Sequence, residues 1–394
     1  MKKALLSVVA VVILAFIGWL AFLGYATRQE HRAADVGWPS SLGLLDEVPK
    51  RFPDAEQSAG ATKLVQLASA AHLELRPRER MGSVATPKPG DVNVIARKAI
   101  GEYVKTQFER SGDAIDAPPP PAAQYLAENE AALNAVRDHL LSGAPIVWET
   151  KLSRGFNAPI PNLSGLINLQ KVLAARALDK ARRNDAAAWD ELHASWELNR
   201  GVWHRPDLIS ILIAIASTRM SNAAARKMPL PAPDWLRETY TFDYVGAMAA
   251  SQQAEAWMIH HAKPGRLTVK DVLRLPSYRL QGAEYLDVMR KYTTEAVRSR
   301  ACDSISPQFD PARRSLVTMH LAIPNLISAW HRLIRFRAEL EATERVLQLR
   351  AGQTPSAKSQ CSDGTWQVTS NGIKFSRDVK VPPPGIRYPL EYAR

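Results

Sequence analysis

A mainly α protein is predicted, with one amino-terminal transmembrane helix, an antiparallel helical array or bundle, and a small β-hairpin near the carboxyl end. Three observations predict it. An apolar run follows Lys2 and Lys3, apolar residues recur at helical spacing through the centre, and Asn371-Gly372 separates two alternating segments. The expected organisation is an anchor over 1–25, a linker over 26–50, an amino-terminal helical part over 51–117, a main body over 118–350, and a hairpin with extended tail over 351–394.

From Ala4 to Tyr25 the chain carries no charge. At about 1.5 Å per residue this run reaches roughly 33 Å, which matches a hydrocarbon core of about 30 Å. Trp19 and Tyr25 lie toward its far end, where amphipathic rings favour headgroups, and Thr27 to Arg32 closes it. Gly24-Tyr25-Ala26 loosely fits a small-x-small cleavage site, but secretory apolar regions usually run only about 7–15 residues, which favours a retained anchor. No cysteine directly follows the run, which argues against lipoprotein processing. A short basic amino end before a large body places that body outside the cytoplasm. The expected location is a bacterial inner membrane, single-pass, with the body in the periplasm, or secreted if the segment is cleaved.

After the linker, Pro53-Asp54 opens a helix with Leu64, Leu67, Ala71 and Leu75 at helical spacing. Pro77, Gly82, Pro87, Pro89 and Gly90 interrupt the chain before a helix from Val92 to Arg110. The tetraproline Pro118–Pro121 reads as a stiff polyproline spacer, followed by helix from Tyr125 to Leu141. The centre is the most strongly patterned. Leu166, Leu169, Leu173 and Ala177 share one helical face, Asn184-Asp185 makes a turn, and Trp189, Trp196 and Trp203 line the return helix. Leu208 to Ala216 is apolar on every side and too short to span, which marks a buried central helix. Further helices are expected over 234–261, 280–300 and 325–350.

Val172–Arg200 loosely resembles a tetratricopeptide-type helical hairpin, with Ala175, Ala188 and Leu192 at its small and large apolar positions. Arg176 departs from that pattern where a small residue is wanted, the family's roughly 34-residue period does not recur, and no binding residues carry over. One internal echo, Ile160-Pro161-Asn162-Leu163 and Ile323-Pro324-Asn325-Leu326, opens a helix each time. At the end, Trp366, Val368, Ile373 and Phe375 alternate with polar residues across the Asn371-Gly372 turn, and Ile386 to Tyr392 is extended.

Composition narrows the chemistry. Among 394 residues, hydrophobic types make up 46% and charged types 23%, which excludes wholesale disorder. Two cysteines exclude a four-thiolate metal site. In an oxidising compartment Cys302 and Cys361 are expected to form a disulfide that pins the hairpin to the body. His193 and Glu197 share a helical face but lack a third ligand, adjacent His260 and His261 diverge, and His320 and His331 are too far apart to share an ion. No metal or cofactor is expected. The chain lacks a nucleophile elbow, a Walker loop and a zincin motif. Glu149, beside Trp148, is an acid-catalyst candidate without a partner carboxylate.

The net charge of +12 suits an acidic partner or anionic lipid, with much of it solvated. Nucleic acid is not expected. Arg332, Arg335 and Arg337 alternate with Trp330, Leu333, Ile334 and Phe336, a pattern that offers Trp330, Arg332, Arg335 and Arg337 as an interaction surface. The expectation is a membrane-anchored, extracytoplasmic, non-catalytic scaffold or adaptor of an envelope complex. The alternative is an envelope hydrolase acting on a glycan or peptide. Protease added to spheroplasts should digest the body and spare cytoplasmic controls; a body degraded only after lysis would place it on the other side.

Overall fold

A computed structural model describes residues 2–39, 41–76, 91–261, 268–299, 302, 323–379 and 388–393. Helix occupies 67% of the chain, so the mainly α class holds, with a small antiparallel sheet at the carboxyl end. The helices are α1 (Lys2–Ala34), α2 (Val48–Arg51), α3 (Ala59–Ala70), α4 (Val92–Glu109), α5 (Pro120–Glu128), α6 (Glu130–Leu141) and α7 (Leu163–Arg182). They continue with α8 (Ala188–Trp203), α9 (Leu208–Ala225), α10 (Leu236–Thr241), α11 (Tyr244–His260), α12 (Val269–Arg298) and α13 (Ile323–Arg350). The strands are β1 (Trp366–Thr369), β2 (Gly372–Phe375) and β3 (Glu391–Ala393).

Local chemistry starts the helices. Ser58, Asp91, Asn162, Asp207, Asp243 and Thr268 each accept a hydrogen bond from an amide in the first turn of the helix that follows. Each such cap is worth about 1 kcal/mol. Neighbours in sequence then pack as antiparallel pairs, α7 on α8 and α8 on α9, while α9 also meets α7, α11 and α13. The second half of α9 adds Ser217, Thr218, Arg219 and Asn222 to an otherwise apolar helix, all buried. Thr218 Oγ1 accepts Trp203 Nε1 at 3.0 Å, Asn222 Nδ2 donates to the Thr218 carbonyl at 2.9 Å, and Arg219 reaches across to α13. Gly165 and Gly201 admit the carbonyls of Glu74 and Ile146 where any Cβ would collide.

Several expectations shift. The linker over 26–50 begins as helix: α1 runs on to Ala34, because nothing before Gly37 breaks it and Glu30 finds buried partners. Ala26, Ala34, Trp38, Leu42, Leu45 and Val48 are buried against the body. Pro120 and Pro121 are the first turn of α5, where a fixed φ suits a helix and no amide is missed, so the tetraproline is only half spacer. The helix expected over 234–261 is two, because Phe242 is extended and Asp243 caps α11 anew. α12 starts eleven residues before the expected Leu280, carrying Pro276 inside it. Asn162 precedes α7 as its cap, whereas Pro324 lies within α13, so the two echo segments enter their helices differently.

The carboxyl sheet has strand order β1-β2-β3, all antiparallel. Thr369 pairs with Gly372, so Ser370-Asn371 forms the turn, one residue earlier than expected. Trp366, Ile373 and Phe375 are buried as the alternation required. β3 comes from the tail, which was expected to be merely extended. Cys302 and Cys361 are joined by a disulfide, with Cα atoms 5.3 Å apart. Pro382–Gly385, Arg313, Arg314, His320 and the break over 77–90 lie outside the described residues.

The central joint is ionic. Glu339 of α13 accepts Arg219 of α9 through two bonds, 2.7 and 2.8 Å, and Arg335 Nε at 3.0 Å. Arg226 donates to the Glu339 carbonyl at 2.9 Å and to that of Pro389 at 2.6 Å. Arg335 donates to the carbonyls of Val379 and Tyr388. Burial pushes Arg226 down to about 10, opposed by Glu339. With the carboxylate 1% exposed, Glu339→Gln should leave these guanidiniums uncompensated and cost about 3–5 kcal/mol, read from denaturant midpoints. A change under about 1 kcal/mol would mean that the joint is not electrostatic.

Candidate functional site

α10, α11 and α13 line a cavity of about 190 Å³. One wall is the junction where Phe242 breaks the helix: Tyr240, Phe242, Asp243, Tyr244 and Val245. The other is α13, through Arg337, Leu340, Glu341 and Glu344, and the exposed Gln360 stands at the rim, next to Cys361. The aromatic wall is stiff because it belongs to a ring cluster: Tyr244 lies 4.9 Å from Trp203, 4.9 Å from Phe242 and 4.7 Å from Phe336 between centroids.

The lining carries three carboxylates and one guanidinium, so the cleft is locally acidic on a strongly basic protein. Two of these acids hold the fold. Asp243 Oδ1 accepts the Gly246 amide at 2.8 Å. Glu341 accepts the Gln360 amide at 2.7 Å, Ser359 Oγ at 2.8 Å and Trp366 Nε1 at 2.7 Å. Glu344 is half-buried and makes no hydrogen bond among the described residues. The Tyr240 hydroxyl is buried without a hydrogen-bond partner among them, and burial, followed by the Glu344 charge, holds it un-ionised. The Glu344 carboxylate, whose charge acts on Tyr240 and Arg345, and the Tyr240 hydroxyl stand together on an aromatic wall. They suit a cation, which carboxylate and ring face attract together.

The predicted interaction surface separates into two parts. Trp330 is buried and donates Nε1 to Gln252 Oε1 at 3.0 Å, and Arg335 is buried in the Glu339 joint, so neither faces a partner. Arg332 is half-buried. Arg337 alone of the four lines the cleft. The reason is that apolar residues surround α13 on nearly every side, which makes it a central helix whose arginines turn inward to carbonyls. The same holds elsewhere: Arg205 reaches the carbonyls of Glu149 and Pro159, and Arg345 those of Ser356 and Lys358. Seven bases, Arg176, Arg205, Arg219, Arg226, Lys227, Arg335 and Arg345, are buried among the described residues against four buried acids, so a small part of the basic excess serves as buried clasp.

The other candidates resolve into packing. Trp189, Trp196 and Trp203 are all buried. His193 Nε2 lies 3.6 Å from Glu197 Oε1, and its ring stacks on Trp235 at 4.6 Å. His260 faces Glu30 at 3.3 Å, while His261 stacks on Trp257 at 4.3 Å. Glu149 serves the fold through its carbonyl. No group of three metal-ligating side chains converges among the described residues. Sequence reasoning missed the cleft acids and rings. The available signal was Tyr240-Thr241-Phe242-Asp243-Tyr244, rings and an acid at a helix break, facing acids three apart on α13. No family model, curated protein or solved structure matches the chain.

One carboxyl outside the cleft has a perturbed proton affinity. Burial, with the Asp207 charge adding to it, pushes Glu255 from its ordinary 4.5 up to about 7. The native state then holds this proton at a higher pH than the unfolded chain does. Its stabilising contribution is full below about 4.5 and is lost as pH rises through about 7. Glu255→Gln should therefore stabilise by about 1–3 kcal/mol at pH ~8 and change little at pH ~4. Thermal unfolding at the two pH values checks this; equal effects at both would refute it.

Proposed function

We propose that the chain is a membrane-tethered, non-catalytic adaptor of the cell envelope, whose body docks a basic side chain of a protein partner in the α10–α11–α13 cleft. The observation that carries this reading is the union of apolar helix and body. α1 is 33 residues without a joint, its apolar part exposed and its last turns held by the body. Glu30, buried, accepts Arg279 Nη1 at 2.6 Å and lies 3.3 Å from His260 Nδ1. Burial raises its pKa, but His260 and Arg279 outweigh that and hold it below the ordinary range. A body clamped in this way keeps a set orientation to the membrane, as an assembly platform requires and a diffusing hydrolase does not.

The cleft supports the partner half of the reading. Its 190 Å³ is below the roughly 300–1,000 Å³ of sites that enclose small-molecule substrates, and comparable with the ~150 Å³ that holds a benzene-sized group. It has room for one side chain, not for a glycan repeat. A glycan hydrolase working in this cleft would need two free carboxylates, and Asp243 and Glu341 already hold helix start and sheet. A photo-reactive residue at exposed Gln360 should capture one reproducible envelope protein in intact membranes. Glu344→Lys should cut that yield about tenfold by reversing charge in the cleft. Absence of any adduct, with turnover of an envelope glycan or peptide by the purified protein, would replace this reading with the hydrolase.

A further inference from the structure

We infer that the first third of α12 is a second membrane-contacting element, seated beside α1 in the leaflet on the body's side, with its basic residues reaching up to the headgroups. The inference rests on the reading of α1 as a membrane span. The two helices pack along one another, and their register is set at two points. Trp19 Nε1 donates to the Leu273 carbonyl at 3.2 Å, and Arg279 donates to Glu30. Residue numbers rise together on both helices, so they run parallel and α12 begins on the membrane side of the body. Trp19 and Glu30 are about 16 Å apart along α1, and Leu273 and Arg279 about 9 Å apart along α12, so the two helices run side by side for about two turns between these points.

Pro276, buried within α12, removes the amide that would meet the Val272 carbonyl and so weakens this turn. At the neighbouring carbonyl, that of Leu273, the indole of Trp19 donates. On the open side, Val269, Val272 and Leu273 fall at i, i+3 and i+4 and form one apolar face. Val269 is 79% exposed and Leu273 64%, high for such residues in a chain with an ample core. Lys270 and Arg274, also exposed, stand one position along from Val269 and Leu273, where long basic side chains reach anionic headgroups. Thr268 and Asp271 bond reciprocally at the helix start, which supplies partners to its first amides where water is scarce.

Depth selects lipid as the occupant. Trp19 lies six residues, about 9 Å, before the end of the span at Tyr25, so Leu273 at its level and Val269, about 6 Å further, reach past the headgroups into the leaflet on the body's side. A soluble partner would have to enter that leaflet to reach the same face.

The full chain in phosphatidylcholine–phosphatidylglycerol vesicles tests this. Because Cys302 and Cys361 are bonded to each other, a single introduced thiol can be labelled with a polarity-sensitive dye. Leu273→Cys, Phe16→Cys within the span and Ile209→Cys on the exposed body are compared. Nitroxide lipids should remove about half of the emission at positions 16 and 273 and little at 209. Iodide quenching at 273 as strong as at 209, with 16 still quenched by lipid, would overturn the inference and leave the span standing. Iodide quenching at 16 would overturn both. Shielding of 273 from lipid and iodide alike would mean that a second copy covers the face, and would also overturn it.

Discussion

A single buried carboxylate, Glu339, decides whether the two halves of the body stay together. Arg219, Arg226 and Arg335 are buried around it, and isolated charges of one sign could not remain there. With the carboxylate in place, the guanidiniums are free to grip backbone oxygens. Arg226 and Arg335 hold the carbonyls of Val379, Tyr388 and Pro389 and so fix the tail that becomes β3. Arg219 lies over the Tyr388 ring at 4.9 Å, which adds a cation–π contact to the same clasp. The carboxyl sheet therefore depends on a charge in the middle of α13.

The same device recurs at other joints. Glu191, fully buried, gathers Arg176, Lys180 and Arg137 and ties α6, α7 and α8. Glu341 ties α13 to the segment before β1 and to Trp366. Glu30 ties α1 to α11 and α12. Apolar burial pairs neighbouring helices, but it is non-directional and leaves their angles loose. Charge-assisted hydrogen bonds at the joints are directional and select one arrangement.

This division of labour bears on function. A body whose joints are pinned transmits orientation from α1 to the cleft, with Glu30 at one end and Glu341 near the other. The acidic lining of that cleft contrasts with the basic surplus of the whole chain, so in the proposed docking local sign, not net charge, would select the group. Arg337 connects the two descriptions: it was legible as part of a basic stripe, and its place is the rim of an acidic site.

Periodicity and punctuation, taken alone, determined the fold class, the apolar amino-terminal run, the paired helices around Trp189–Trp203, the buried α9 and the hairpin. These depend on the spacing of neighbours along the chain and on turn residues, so they can be read locally. The sequence did not determine where α1 ends, that α12 starts beside Trp19, that Glu391–Ala393 supplies a strand, or that Trp330 and Arg335 face inward. Each of those was decided by a partner well separated along the chain, such as Glu30 with Arg279, Tyr392 with Ile373, or Arg335 with Tyr388. An arginine's stem and head suit a wet surface and a buried carbonyl equally well, and only the packed neighbours choose between them.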